Sequence, residues 1–195
     1  MSKQISLSTM ASIAIFTTLL LIISSISIPF IHSHQFSTQL TQKHMARKTL
    51  KTTRIRFFFH DIVSGRNPTA IPIVPAKDNS TFFGSLTMID DPLTVGPSLS
   101  SKIIGRAQGF YGGSGLVNPA LLMVMNYVFT NESKHYGSTL SLLGRNPFIT
   151  SEKEMPIVGG TGKFRFAQGF VRFKTYSINS TGDAIVQYNA TVYHF

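Results

Sequence analysis

Along most of this chain apolar and polar positions alternate with a period of two, the pattern of strands whose faces meet different surroundings, and not with the 3.6 of an amphipathic helix. In RIRFFFHDI, residues 54–62, Ile55, Phe57, Phe59 and Asp61 share one face, while Arg56, Phe58, His60 and Ile62 share the other. Further strands are expected over 81–89, 102–112, 121–129, 136–144, 162–176 and 184–195, separated by the turn-rich SGRNP, DDPLTVGP, GGSGLVNP, LGRNP, GGTG and NSTGD. Seven or eight short strands, with no amphipathic helix among them, predict a sandwich or an antiparallel barrel.

Two segments favour the barrel. LLMVMNYVF, residues 121–129, is apolar on both faces, as a strand is when one face fills an interior and the other meets a further layer or subunit. The last strand instead sets Gln187, Asn189 and Thr191 against Val186, Tyr188, Ala190 and Val192, so part of the outside is wet. GRNP occurs at 65–68 and 144–147 and AQGF at 107–110 and 167–170, echoes too short for a repeat. Around the second AQGF the apolar register changes, which marks Gly169 as a bulge.

Ahead of the strands, Lys3 is followed by no charged residue until Lys43, and the stretch between is strongly apolar. Residues 1–34 read as a secretory signal peptide, with a signal anchor as the alternative, since the run approaches membrane-spanning length. Residues 35–52 read as a basic, flexible arm, and 53–195 as the barrel domain. The chain of 195 residues has no cysteine, so an exported fold of this length rests on a closed hydrogen-bond ladder and packing. Its formal charge of +10 is concentrated at Lys43, Arg47, Lys48, Lys51, Arg54 and Arg56. An exported protein does not meet nucleic acid, which sets that partner aside, whereas an acidic wall polysaccharide suits the charge.

Metal chemistry finds no ligand spacing among the histidines, and no nucleophile elbow, P-loop or dinucleotide fingerprint occurs, so no cofactor is expected. N-x-[ST] sequons stand at Asn79, Asn131, Asn179 and Asn189. Among the titratable groups, Asp61 is singled out: a carboxyl sharing a strand face with Phe57 and Phe59 is desolvated, its pKa rises, and it becomes an acid or base for a phenol or a leaving hydroxyl. A strand-end aspartate accepting backbone N–H bonds or pairing with an arginine fits the same pattern. Arg165, Arg145, Lys163 and Tyr111 are candidate donors to a phenolate or quinone oxygen. His60 and Phe59, beside Asp61, complete the candidate substrate contacts.

The blocks FFFHDIVSGRNPTA, GSLTMIDDPLT, GRAQGFYGGSG, LLMVMNYVFT, GSTLSLLGRNP and EMPIVGGTGKFRFAQGF, in this order from about residue 54 onward, resemble plant dirigent proteins. The resemblance implies an eight-stranded antiparallel barrel, a homotrimer, export to the apoplast, and a small phenolic substrate. Family members steer coupling of phenoxyl radicals made by a separate oxidase, a laccase or peroxidase, into one stereoisomer of a lignan. By motif, Asp61, Tyr111 and Arg165 take the family's site positions. Lignan-forming members often carry aspartate where Arg145 stands and arginine where Gln168 stands. The GRNP form is similar to the branch that includes pterocarpan synthase, a dehydratase acting on a hydroxyisoflavan. A non-catalytic wall-binding protein is the remaining alternative.

Overall fold

A computed structural model describes residues 49–195 together with the single residue Ile15. The expected signal peptide and most of the expected arm lie outside these residues. Nine antiparallel strands follow in order: β1 Lys51–Asp61, β2 Ala70–Val74, β3 Leu86–Thr94, β4 Ile103–Gly113, β5 Leu121–Phe129, β6 Thr139–Asn146, β7 Lys153–Thr161, β8 Gln168–Ile178 and β9 Ala184–His194. Neighbours run β1-β9-β8-β7-β6-β5-β4-β3-β2, and a further β1–β3 pairing at Phe58↔Thr94 and Phe59↔Leu93 closes the sheet. β1 and β2 share one edge of β3, so the cylinder has the expected eight strands and β2 continues its β1 wall. The first strand begins at Lys51, inside the stretch expected as an arm.

The period-two faces sort as the chain pattern requires. Phe57, Met125, Tyr127, Leu140, Leu142, Met155, Val171 and Tyr188 point inward and are buried. Phe57 stacks on Tyr188 with ring centroids 5.5 Å apart, Tyr188 stacks on Phe173 at 4.7 Å, and Tyr127 meets Phe57 edge-on at 4.9 Å. These rings fill the middle of the barrel. Phe164, fully buried on a short 3₁₀ turn over Gly162–Phe164, plugs one end against Phe129 and His194. The other end stays open.

Three strand assignments differ from the sequence pattern, each because of a proline. β2 contains Pro72, which an edge strand tolerates. β3 runs on through DDPLT, read above as a turn. Asp90 donates its N–H to Thr69 on the β1/β2 side, and Pro92, two residues on, would point the same way. There it falls between Ile89, paired with β2, and Leu93, paired with β1, where no strand needs a donor. β7 was hidden by Pro156, which lies where β7 pairs with β8 alone, having parted from β6 before Ile157.

Gly169 is not a bulge, contrary to the expectation, since pairing runs unbroken through Gln168↔Tyr193, Gly169↔Val192 and Phe170↔Thr191. The irregularity in β8 lies at Tyr176, between Thr175 and Ser177. A Cβ on Gly169 would stand 2.0 Å from the Thr191 carbonyl oxygen, and one on Gly109 would stand 2.1 Å from that of Val124. Both AQGF echoes therefore mark a close approach of neighbouring backbones that only glycine allows. The apparent register change has another source: Phe164 belongs to the 3₁₀ turn, and β8 starts only at Gln168.

Candidate functional site

At the open end the barrel encloses a cavity of about 540 Å³, within the usual range for a small-molecule site. Its apolar lining includes Phe59, Met123, Phe173, Val186 and Tyr188, and its polar groups include Asp61, Tyr111, Thr87, Asn146 and Lys153. The residue pattern produces this directly: Asp61 closes the run of inward positions Phe57 and Phe59, at the height where the stacked rings stop. At the mouth, Phe82 and Phe148 meet edge-on at 5.7 Å from two different loops. Phe82 holds φ 58, a left-handed backbone fixed by Phe82 N–H donating to Asp78 O and Ser85 N–H donating to Phe82 O.

Asp61 is half-buried and accepts the Tyr111 hydroxyl at 3.1 Å on Oδ2 and 3.3 Å on Oδ1. Burial pushes its carboxyl up to about 6, the Tyr111 bond opposes this, and repulsion from Asp183 adds to it. Tyr111 itself is held far above the ordinary phenol range, first by burial and then by Asp61, so it remains a donor. Deeper in the barrel, fully buried on β3, Asp91 accepts the Thr69 hydroxyl on Oδ1, while its Oδ2 has no protein partner. Burial, then the charge of Asp61, pushes Asp91 up to about 8. Asp61 lines the cavity whereas Asp91 is sealed beneath it with no exposed surface, and carboxyls with separated pKa values are chemically able to serve as proton donor and acceptor of different strength.

Lys153 is the cation of the cavity. It is buried on β7, its Nζ donates to Thr175 Oγ1 at 3.4 Å and lies 5.5 Å from the Phe173 ring centre, and burial lowers its pKa. An ammonium so placed suits a phenolate or quinone oxygen.

Of the expected site residues, Asp61, Tyr111 and Phe59 come together on the cavity wall. The others do not. His60 points to the outer face, where it is buried and its Nε2 lies 2.7 Å from Thr94 Oγ1, securing the loop after β3 beside a separate cavity of about 280 Å³. Arg145 is exposed on the outer face of β6, next to Asn146, which is the residue that reaches the cavity. Lys163 and Arg165 are exposed on the β7–β8 connection at the plugged end, a barrel length from the opening. Asp91 and Lys153 escaped sequence reading because each lies on a strand disguised by proline. Continued two residues beyond Ile89, up to Pro92, the alternation from Thr87 and Ile89 would have put Asp91 inside.

The four sequon asparagines are all exposed. Asn79 borders the cavity mouth, Asn131 lies between β5 and β6, and Asn189 stands in the middle of β9. Asn179 donates to Asp183 Oδ2 at 2.9 Å. Asp183 also accepts Val63 N–H, Ser64 N–H and the Ser64 hydroxyl, which ties the β8–β9 hairpin to the chain leaving Asp61.

Comparison with known proteins places this geometry in context. A family model described as Dirigent-like protein matches residues 52–193. Dirigent protein 21 of Arabidopsis thaliana is 44% identical over 166 residues, covering 83% of this chain and 87% of the relative. Pterocarpan synthase 1 of Glycyrrhiza echinata is 44% identical over 150 residues, covering 74% of this chain and 79% of the relative. A solved structure of a pterocarpan synthase dirigent protein superposes with a TM-score of 0.71 at 41% identity, covering 76% of this chain and 87% of the other.

Proposed function

The chain belongs to the dirigent family, and on that footing we propose that its barrel holds a phenolic molecule and moves a proton through Asp61 at a quinone methide, whose reacting face the walls select. The observation that carries this reading is Asp61 on the wall of an apolar, aromatic cavity, accepting the Tyr111 hydroxyl at 3.1 Å and raised to about 6 by burial, with Asp91, raised to about 8, sealed beneath it. On a phenol bearing a benzylic hydroxyl, Asp61 gives its proton to that hydroxyl, which leaves as water when the C–O bond breaks. The phenol passes its own proton to water at the open mouth as the quinone methide forms, and Lys153 donates a hydrogen bond to the methide oxygen. A second hydroxyl of the guest then adds to the methide carbon and returns a proton to Asp61, while the phenol oxygen takes one back from water. Water is lost and no oxidant is consumed. Aromatic walls that hold the two reacting atoms together account for one hand of product.

A second reading has the same pocket guiding two phenoxyl radicals made by a separate laccase or peroxidase. It is favoured by the apolar, aromatic lining and by relatives named as dirigent proteins. Incubation with a hydroxyisoflavan, and separately with coniferyl alcohol and a one-electron oxidant, followed by chiral chromatography, separates the two. Dehydration requires protonated Asp61, so kcat/KM should fall about tenfold per pH unit above about 6. A profile that stays level through neutral pH would remove the acid role. Racemic coupling together with an unchanged hydroxyisoflavan would dismiss both chemistries.

The reading carries with it an exported chain, glycans on the loop asparagines Asn79 and Asn131, and a trimer. For the trimer, the support is a row across four strands on the outer wall, Met88–Phe110–Val124–Leu143, apolar throughout and exposed at both ends. Light scattering should report three copies for the native chain and a smaller species for Val124→Glu with its barrel intact. A monomeric native chain would remove this assembly.

A further inference from the structure

On the side of the barrel formed by β1, β9 and β8, the register sets cations in columns around a neutral one. Arg56, Asn189 and Arg172 form one row across the three strands, Arg54 and Thr191 stand on one side of it, and Gln187 and Lys174 on the other. All four cations are exposed. Strands lie about 4.8 Å apart and alternate residues about 7 Å apart, so these charges make a grid roughly 10 Å wide. Two of them are held flat: the Arg56 guanidinium lies 5.9 Å from the Phe58 ring centre and that of Arg172 5.4 Å from Phe170. Of these four cations only Arg172 finds a carboxylate among the described residues, Glu154 at 3.1 Å, and Arg54, Arg56 and Lys174 form no ion pair there.

Four cations gathered on a stiff sheet, three of them without a carboxylate, repel one another unless a polyanion meets them. We propose that this face binds an acidic polysaccharide, a polyuronate. Its carboxylates lie on the arginines and lysine, and its hydroxyls on the Asn189 and Gln187 amides and the Thr191 hydroxyl. The neutral column distinguishes this ligand from other polyanions, because sugar hydroxyls alternate with charge. Exposed rings flank the grid at Tyr176 and Tyr193, and because sugars as well as bases stack on such faces, RNA is kept as an outcome of the test. A lipid surface would want exposed apolar side chains, and none stands between the cations. The site is separate from the cavity. It also requires that Asn189, at its centre, carry no glycan, although the sequon there is complete.

The test is equilibrium retention of the full mature chain on polygalacturonate. Replacing Arg54, Arg56, Arg172 and Lys174 together by glutamine should weaken binding roughly tenfold or more, since each exposed charge contributes modestly and all four act together. Turnover in the cavity should stay unchanged, which shows the variant folded. Neutralising Lys43, Arg47 and Lys48 should change retention less than about threefold. The reverse pattern overturns the proposal and assigns binding to the amino-terminal segment. Equal retention on fully methyl-esterified pectin, equally tight binding to RNA or to phosphatidylserine vesicles, or a glycan on Asn189 in peptide mass mapping would also overturn it.

Discussion

Asp61→Asn is expected to lower kcat for dehydration by about 10²–10⁴-fold while leaving the guest's affinity nearly unchanged, the loss typical of a missing proton donor. The substitution keeps the shape of the side chain, and its amide oxygen still accepts the Tyr111 hydroxyl that now meets the carboxylate at 3.1 Å. What disappears is a group that titrates near neutrality because burial disfavours its charge. The measurement is single-turnover kinetics with a hydroxyisoflavan, paired with chiral analysis of coupling products from coniferyl alcohol. If the variant turns over normally, the carboxyl is a wall and not an acid. If dehydration is absent even in the native chain while Asp61→Asn keeps its stereoselectivity in coupling, the pocket acts by shape alone.

Asp91→Asn should remove most of the loss of stability between about pH 4 and pH 8, a change on the order of 5 kcal/mol at the upper end. The sign follows from proton counting. Asp91 in the folded barrel keeps its proton up to about 8, whereas in the unfolded chain it gives it up near the ordinary aspartate value. Over that window the folded state binds the extra proton, so native stability is full below about pH 4 and falls by about 1.4 kcal/mol per pH unit until Asp91 itself ionises. Asp61 adds a smaller fall over the shorter window that ends at about 6. An asparagine at 91 still accepts from Thr69 and has no charge to lose. Urea unfolding across this range checks it, and a native chain more stable at pH 8 than at pH 5 would reverse the assignment.

Period-two alternation exposed the barrel and Asp61 together, because the inward run Ile55, Phe57, Phe59 can end on a carboxyl only where the interior stops being filled. The same alternation misplaced His60 only in role: it correctly put that ring on the face opposite Asp61, which turned out to be outside the cylinder and under a loop. Strand ends resisted reading. Pro92 and Pro156 look like turn residues, and their tolerance depends on which neighbouring strand is absent, a fact of closure that no local pattern contains. Asp91 and Lys153 were lost with those strands. Arg165 and Lys163 failed for a different reason: adjacency to a glycine-rich turn says nothing about which end of a barrel the turn caps. Their turn holds Phe164, the plug, so it belongs to the filled end.

The barrel's interior holds two carboxyls, Asp61 and Asp91, whose protons are held with different strength. Carbon NMR titration of aspartate labelled at its carboxyl carbon, with Asp61→Asn and Asp91→Asn spectra for assignment, reads this directly. Two steps should appear, near 6 and near 8, each displaced or lost in the matching variant. If both resonances move with the exposed aspartates, at the ordinary carboxylate value, neither group is shielded from water and the proton chemistry assigned to the barrel is contradicted.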